Sequence, residues 1–134
     1  MSRSGYSEDC DNDWNLIMWR GAVASAMRGK RGQAFLKEML AALDAMPEKK
    51  LIAHQLESGG AVCAIGSVGK ARGLDMQGMD PEDRDTVAET FGIAPALAAE
   101  IVWENDEANS YFRNEEKPEA RFARMRAWVA SQIK

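Results

Sequence analysis

The chain has 134 residues, 46% of them hydrophobic and 28% charged, with a formal charge of −4. That length supports one domain around one core, and the composition is that of a folded chain rather than a disordered one. No apolar run approaches the roughly 20 residues of a membrane helix, and the opening "MSRSGYSEDCDNDWN" has no apolar signal core, so the expectation is a cytoplasmic protein without membrane contact.

Residues 1–12 read as a flexible acidic lead-in, with Glu8, Asp9 and Asp11 against Arg3. The first helix is expected from Asp13, a good N-cap residue. It places Trp14, Ile17 or Met18, Gly21 and Ser25 at helical spacing. Gly21, Ala22, Ser25 and Ala26 form a small-residue strip that admits another helix, or a second copy in a homodimer. Gly29 and Gly32 bracket a turn, "GKRG". A second helix follows over 33–46, with Phe35, Met39, Leu40, Leu43 and Met46 on its apolar face and Pro47 as its stop.

"KKLIAHQLESGGAVCAIG" holds two short apolar runs around Ser58-Gly59-Gly60, which predicts a β-hairpin near 50–63. A helix is expected from Cys63 to Gly73. Asp80-Pro81 reads as an N-cap followed by proline at the first helical position. Two helices are expected across "PEDRDTVAETFGIAPALAAEIVWEND", turning at Gly92, with Val87, Ala88, Phe91, Leu97, Ile101 and Val102 inward. A polar connection leads to a last helix from Pro118, striped by Phe122, Met125, Val129 and Ile133. The expected fold is mainly α: one single-domain bundle, 1–134, of five or six helices with a small β-hairpin.

Five local patterns invite a chemical reading. "AIGSVGKA" (64–71) has most of a phosphate-binding loop, but Ala71 stands where a magnesium-binding hydroxyl belongs, so Gly66 and Gly69 read as close-packing positions on a helix. "VAETFGIAPALAAEI" resembles a helix-turn-helix. Its second helix would offer DNA Glu100, Glu104, Asn105 and Asp106 and no cation, which phosphate would repel. His54, the only histidine, forms a nucleophile site with Cys63 and Asp106 only if the three converge. Within "AVCAIG", Cys63 reads instead as a small core residue. "WENDE" (103–107) reads as a helix terminus rather than a carboxylate site. "RGKRG" reads as a solvated turn. Two cysteines and one histidine are too few for an ordinary four-ligand zinc site, so no metal and no cofactor are expected.

Charge is segregated along the chain. Residues 75–107 are acidic with Arg84 the one cation, whereas 14–50 and the C-terminal segment lean basic. The acidic stretch supplies a candidate protein-binding face of Asp83, Asp85, Glu89, Glu100, Glu104, Asp106 and Glu107. The alternative is a nucleic-acid surface of Arg28, Lys30, Arg31, Arg121, Arg124 and Arg126.

"VCAIGSVGKARG", then "IVWENDE" and the proline-initiated "PEARFARMRAWV", together with "WRGAV" and "RGKRGQAFLKEMLAALDAMP", resemble a loose group of small bacterial and phage proteins. Cys63, Ala64, Ile65, Gly66, Ser67 and Val68 carry the first element of the resemblance, and Asn105 and Asp106 the second. The likeness covers most of the chain. It implies a phage or prophage origin and assigns no catalytic residue. The expected function is that of a non-enzymatic accessory protein that binds a host protein. The target expected is a nucleic-acid-binding defence complex, inhibited in the manner of an anti-CRISPR.

Overall fold

The computed structural model describes residues 13–107 and 116–134. The expected flexible segment 1–12, and most of the polar connection before the last helix, lie outside the described residues. Six helices and one hairpin follow in order: α1 Asp13–Arg28, α2 Lys30–Ala45, β1 Glu57–Ser58, β2 Ala61–Val62, α3 Ala64–Arg72, α4 Arg84–Phe91, α5 Pro95–Asp106 and α6 Pro118–Gln132. The architecture is a helical bundle with a small antiparallel hairpin.

α5 is the central element. It packs against α1, α3, α4 and α6, and Leu97 to Trp103 are all buried. An apolar helix surrounded on all sides belongs in the core. α2 contributes Phe35, Leu36, Met39 and Leu43, each adding roughly 1.5–3 kcal/mol on burial, with the smaller Ala42 between them. Its buried stripe sits slightly round from the expected one, with Leu36 inside and Leu40 and Met46 only partly buried. α6 inserts Phe122, Met125 and Val129 at the spacing read from the sequence.

The turn between α1 and α2 is shorter than "GKRG" suggested. Gly29 alone breaks the chain, and Gly32 lies inside α2, where a Cβ would collide with the Ala26 carbonyl. Gly32 is therefore a helix-crossing residue rather than a turn residue. The hairpin pairs Glu57 with Val62 and Ser58 with Ala61. Gly59 (φ 58°) and Gly60 (φ 88°) take the two left-handed positions of its loop, which residues with a Cβ rarely adopt.

α4 starts later than the Asp80-Pro81 signal indicated. Asp80 closes a local turn by accepting the Glu82 N–H at 2.9 Å. Asp83 then caps the helix, accepting the Thr86 N–H at 3.2 Å and the Thr86 hydroxyl at 2.8 Å. The direct hydroxyl contact favours Asp83 as the cap. α4 ends at Gly92 (φ 73°), and α5 leaves at a bend of 107°. No single described helix is long and apolar enough to cross a membrane.

α1 departs most from expectation. Its buried residues are Val23 and Met27, with Trp19 and Ala26 partly covered. Trp14, and both Ile17 and Met18, either of which the helical spacing could align with it, stand 66%, 58% and 58% exposed. The helix is apolar on two sides, and tertiary packing uses the other one.

Candidate functional site

Cys63 is the N-cap of α3. Its Sγ accepts the Gly66 N–H at 3.3 Å, and the Ser67 hydroxyl donates to the Ala64 carbonyl at 2.6 Å. Only 3% of Cys63 is exposed, and burial pushes its thiol up to about 12. The "AIGSVGKA" segment is thus the body of α3 rather than a phosphate loop. Ile65 and Val68 are in the core, Gly66 lies against the Leu56 carbonyl, and Gly69 lies against Met76.

The residue that organises this region is Asn105, buried near the end of α5. Its Oδ1 accepts the Ala64 N–H at 3.1 Å, so it serves the first residue of α3 from across the core. Its Nδ2 donates to the Ile52 carbonyl at 2.9 Å and to Asp106 Oδ1 at 2.7 Å. Its own carbonyl receives Arg121 Nε at 3.1 Å, while Arg121 also reaches the Leu51 carbonyl at 3.2 Å. Arg124 donates to the Glu104 carbonyl at 2.7 Å and to both carboxylate oxygens of Glu116 at 2.8 Å. Two guanidinium groups therefore sit on the carbonyl end of α5, where the helix dipole favours positive charge.

Asp106 links the other two members of the expected trio, accepting a backbone hydrogen bond at His54 and lying close enough to act on the Cys63 thiol, but His54 is exposed and Cys63 is buried. Asp106 is drawn up from the ordinary carboxylate range mainly by burial, against the Asn105 bond and the nearby His54. Its charge in turn adds to the upward push on Cys63. A nucleophilic cysteine needs a lowered pKa and access to solvent. Here the thiol is sealed and held in its neutral form. The cluster is a fixed polar joint between α3, α5, α6 and the 51–54 segment.

No family model, curated protein or solved structure matches this chain.

The seven acidic candidates do not share one face. Asp83, Asp85, Glu89 and Glu107 are exposed. Glu100 is 0% exposed, in the middle of α5, and presents no surface to another protein. Glu104 is half-buried with an oxygen 3.8 Å from Arg124, and Asp106 belongs to the internal joint. What remains outside, besides Glu107, is a run from Asp75 through Asp80, Glu82, Asp83 and Asp85 to Glu89. The one cation in that run, Arg84, lies over the Trp19 ring at 4.8 Å.

The basic candidates also separate. Arg28, Lys30 and Arg31 are exposed at the α1–α2 junction. Arg121 is buried, Arg124 is turned onto Glu116, and Arg126 grips Asp44 through bonds of 2.6 and 3.1 Å. The helix-turn-helix likeness fails for a related reason, since α5, the would-be reading helix, is the core itself. Among the described residues, no three His, Cys, Asp or Glu side chains gather as metal ligands.

One concave feature lies elsewhere. A groove of about 400 Å³ runs between the end of α2, the hairpin and α3, with Ala42, Met46, Ile52, Val62 and Ala71 in its wall and Lys50 and Lys70 beside it. Lys70 is tied to the Gly60 carbonyl at 2.7 Å, and Lys50 approaches Glu119 at 3.9 Å.

Proposed function

We propose that this chain is a non-catalytic accessory protein of phage or prophage type that acts in the host cytoplasm by occupying the surface of a host protein. The partner proposed is a nucleic-acid-binding defence complex, whose basic groove the acidic run from Asp75 to Glu89 would cover. The observation that carries the reading is the placement of that run. Its carboxylates stay in solvent, and its one cation is drawn onto Trp19. Concentrated negative charge steers association with a basic surface and makes it sensitive to salt. The thiol cluster, where catalysis would otherwise be sought, holds its cysteine neutral and buried.

The nucleic-acid reading has less to stand on, because Arg121, Arg124 and Arg126 spend their guanidinium groups on carboxylates and carbonyls within the fold. The test is capture from a bacterial host with tagged protein, at low and high salt, beside an Asp85→Lys/Glu89→Lys variant. A stoichiometric protein should be retained at low salt and lost under both other conditions. A partner retained equally in all three would remove the acidic surface from the account. Nucleic acid captured in its place would favour the basic residues.

A further inference from the structure

The outer face of α1 is unusual for a surface helix. At 3.6 residues per turn, Trp14, Ile17, Met18, Gly21, Ser25 and Arg28 fall within an arc of about 100°, and all six are exposed. A surface helix ordinarily turns charged and polar residues outward. This one turns out Trp14, Ile17 and Met18, which together leave on the order of 300 Å² of apolar surface in water. Its inner face, Val23 and Met27, is already packed.

The face is graded along its length. Its first half is bulky, and its second half is small, with Gly21 and Ser25 before Arg28. No atom lies within 4 Å of a Cβ built at Gly21, so the backbone there is bare. Trp14 and Arg28 stand equally far on either side of Gly21.

We propose that this face pairs with the same face of a second copy, the two α1 helices running antiparallel about a two-fold axis near Gly21. That arrangement lays the bulky half of each helix across the small half of the other. Ile17 and Met18 meet Ser25 of the second copy, and the two Gly21 backbones approach where nothing intervenes. Trp14 comes under Arg28 of the second copy, a cation over an indole face. The helix dipoles oppose, which is their favourable sense. Both halves of a complementary surface are present on one helix, which is the property a two-fold interface requires. The apolar area offered, on the order of 300 Å² per copy, is below that of a standard specific interface, so the pairing is weak and the dimer dissociates on dilution. The pairing does not depend on the acidic run, and its test uses purified protein alone.

Sedimentation velocity on the full chain should show the average mass rising from monomer toward twice that value across the micromolar range. Met18→Lys should remain monomeric at every concentration with an unchanged melting temperature. Gly21→Glu gives a second variant should that one fold poorly. Geometry is read by oxidation in a Cys10→Ser background. Trp14→Cys mixed with Arg28→Cys should cross-link more readily than Trp14→Cys with itself. A wild-type monomer at all concentrations, a dimer that survives both substitutions, or preferential Trp14→Cys self-linking would each overturn the proposal.

Discussion

Asn105 and Ala64 are 41 positions apart in sequence, yet the Asn105 side-chain oxygen accepts the Ala64 N–H at 3.1 Å. The first amides of a helix lack partners within it. α3 solves this with two groups, the Cys63 sulfur on Gly66 and the Asn105 amide on Ala64. The second is long-range, so it ties the start of α3 to the end of α5. Asn105→Ala should strand the Ala64 N–H and the Ile52 carbonyl together, at a cost of roughly 2–4 kcal/mol. Urea unfolding measures it. A loss below about 0.5 kcal/mol, within the range of an ordinary surface change, would mean the joint is dispensable.

The same residue marks where the sequence stops being legible. Helices α2, α3, α5 and α6 follow from apolar spacing with proline and glycine punctuation, and the hairpin turn follows from Gly59-Gly60. Local signals sufficed there because local chemistry decides. Asn105 shows only a helix end in the sequence, since its partners at Ile52 and Ala64 are brought by the fold. Glu100 was unreadable for the same reason, because a carboxylate is assigned to the surface until all sides of its helix are seen to be covered. α1 misleads in the opposite direction. Two apolar faces compete on one helix, and spacing alone does not say which one α2 and α5 will take.

Cys63 gives a pH signature. Its thiol is held at about 12 in the fold against an ordinary 9.0. Between these values the folded state keeps a proton that the unfolded state loses, so stability falls as pH rises above about 9. The slope is up to about 1.4 kcal/mol per pH unit. Below pH 9 the contribution is fully present. Unfolding of the wild type and Cys63→Ala at pH 8, 9 and 10 should therefore converge with rising pH. Parallel curves would show that the thiol is not protected. Alkylation of Cys63 should also be slow in native protein and fast in denaturant.

Three glycines on helices should respond differently to alanine. The helix propensity gain is about 1 kcal/mol at each. At Gly21 nothing obstructs a Cβ, so Gly21→Ala should raise monomer stability by about that amount. At Gly69 the obstacle is the flexible end of Met76, which can swing aside, leaving a change near zero. At Gly66 the obstacle is the Leu56 carbonyl, which is backbone and is held by the Cys63 N–H at 3.1 Å. Gly66→Ala should cost more than about 2 kcal/mol, as overpacked cores do. Thermal melts of the three variants should fall in that order, and a tolerated Gly66→Ala would imply a looser hairpin–α3 contact.

Asp106→Asn tests how far the joint depends on charge. Burial holds the Asp106 carboxyl above its ordinary range, so ionisation is less favourable in the fold than in the unfolded chain. A raised carboxyl contributes stability that is present below the unfolded value and lost as pH rises through the folded one. The amide has no such cost, and it keeps one acceptor oxygen for the Asn105 and His54 donors. At neutral pH the variant should therefore match or exceed the wild type. As pH falls toward the ordinary carboxyl value of 3.8 the wild type should regain ground. Cys63 is sealed and labels through opening, so a more stable variant should label no faster than the wild type in native conditions. Greater neutral-pH stability together with labelling no faster than the wild type is the expected pair of results. A destabilised variant that labels faster would instead show that attraction of the Asp106 charge to His54 and Arg121 outweighs the cost of its burial.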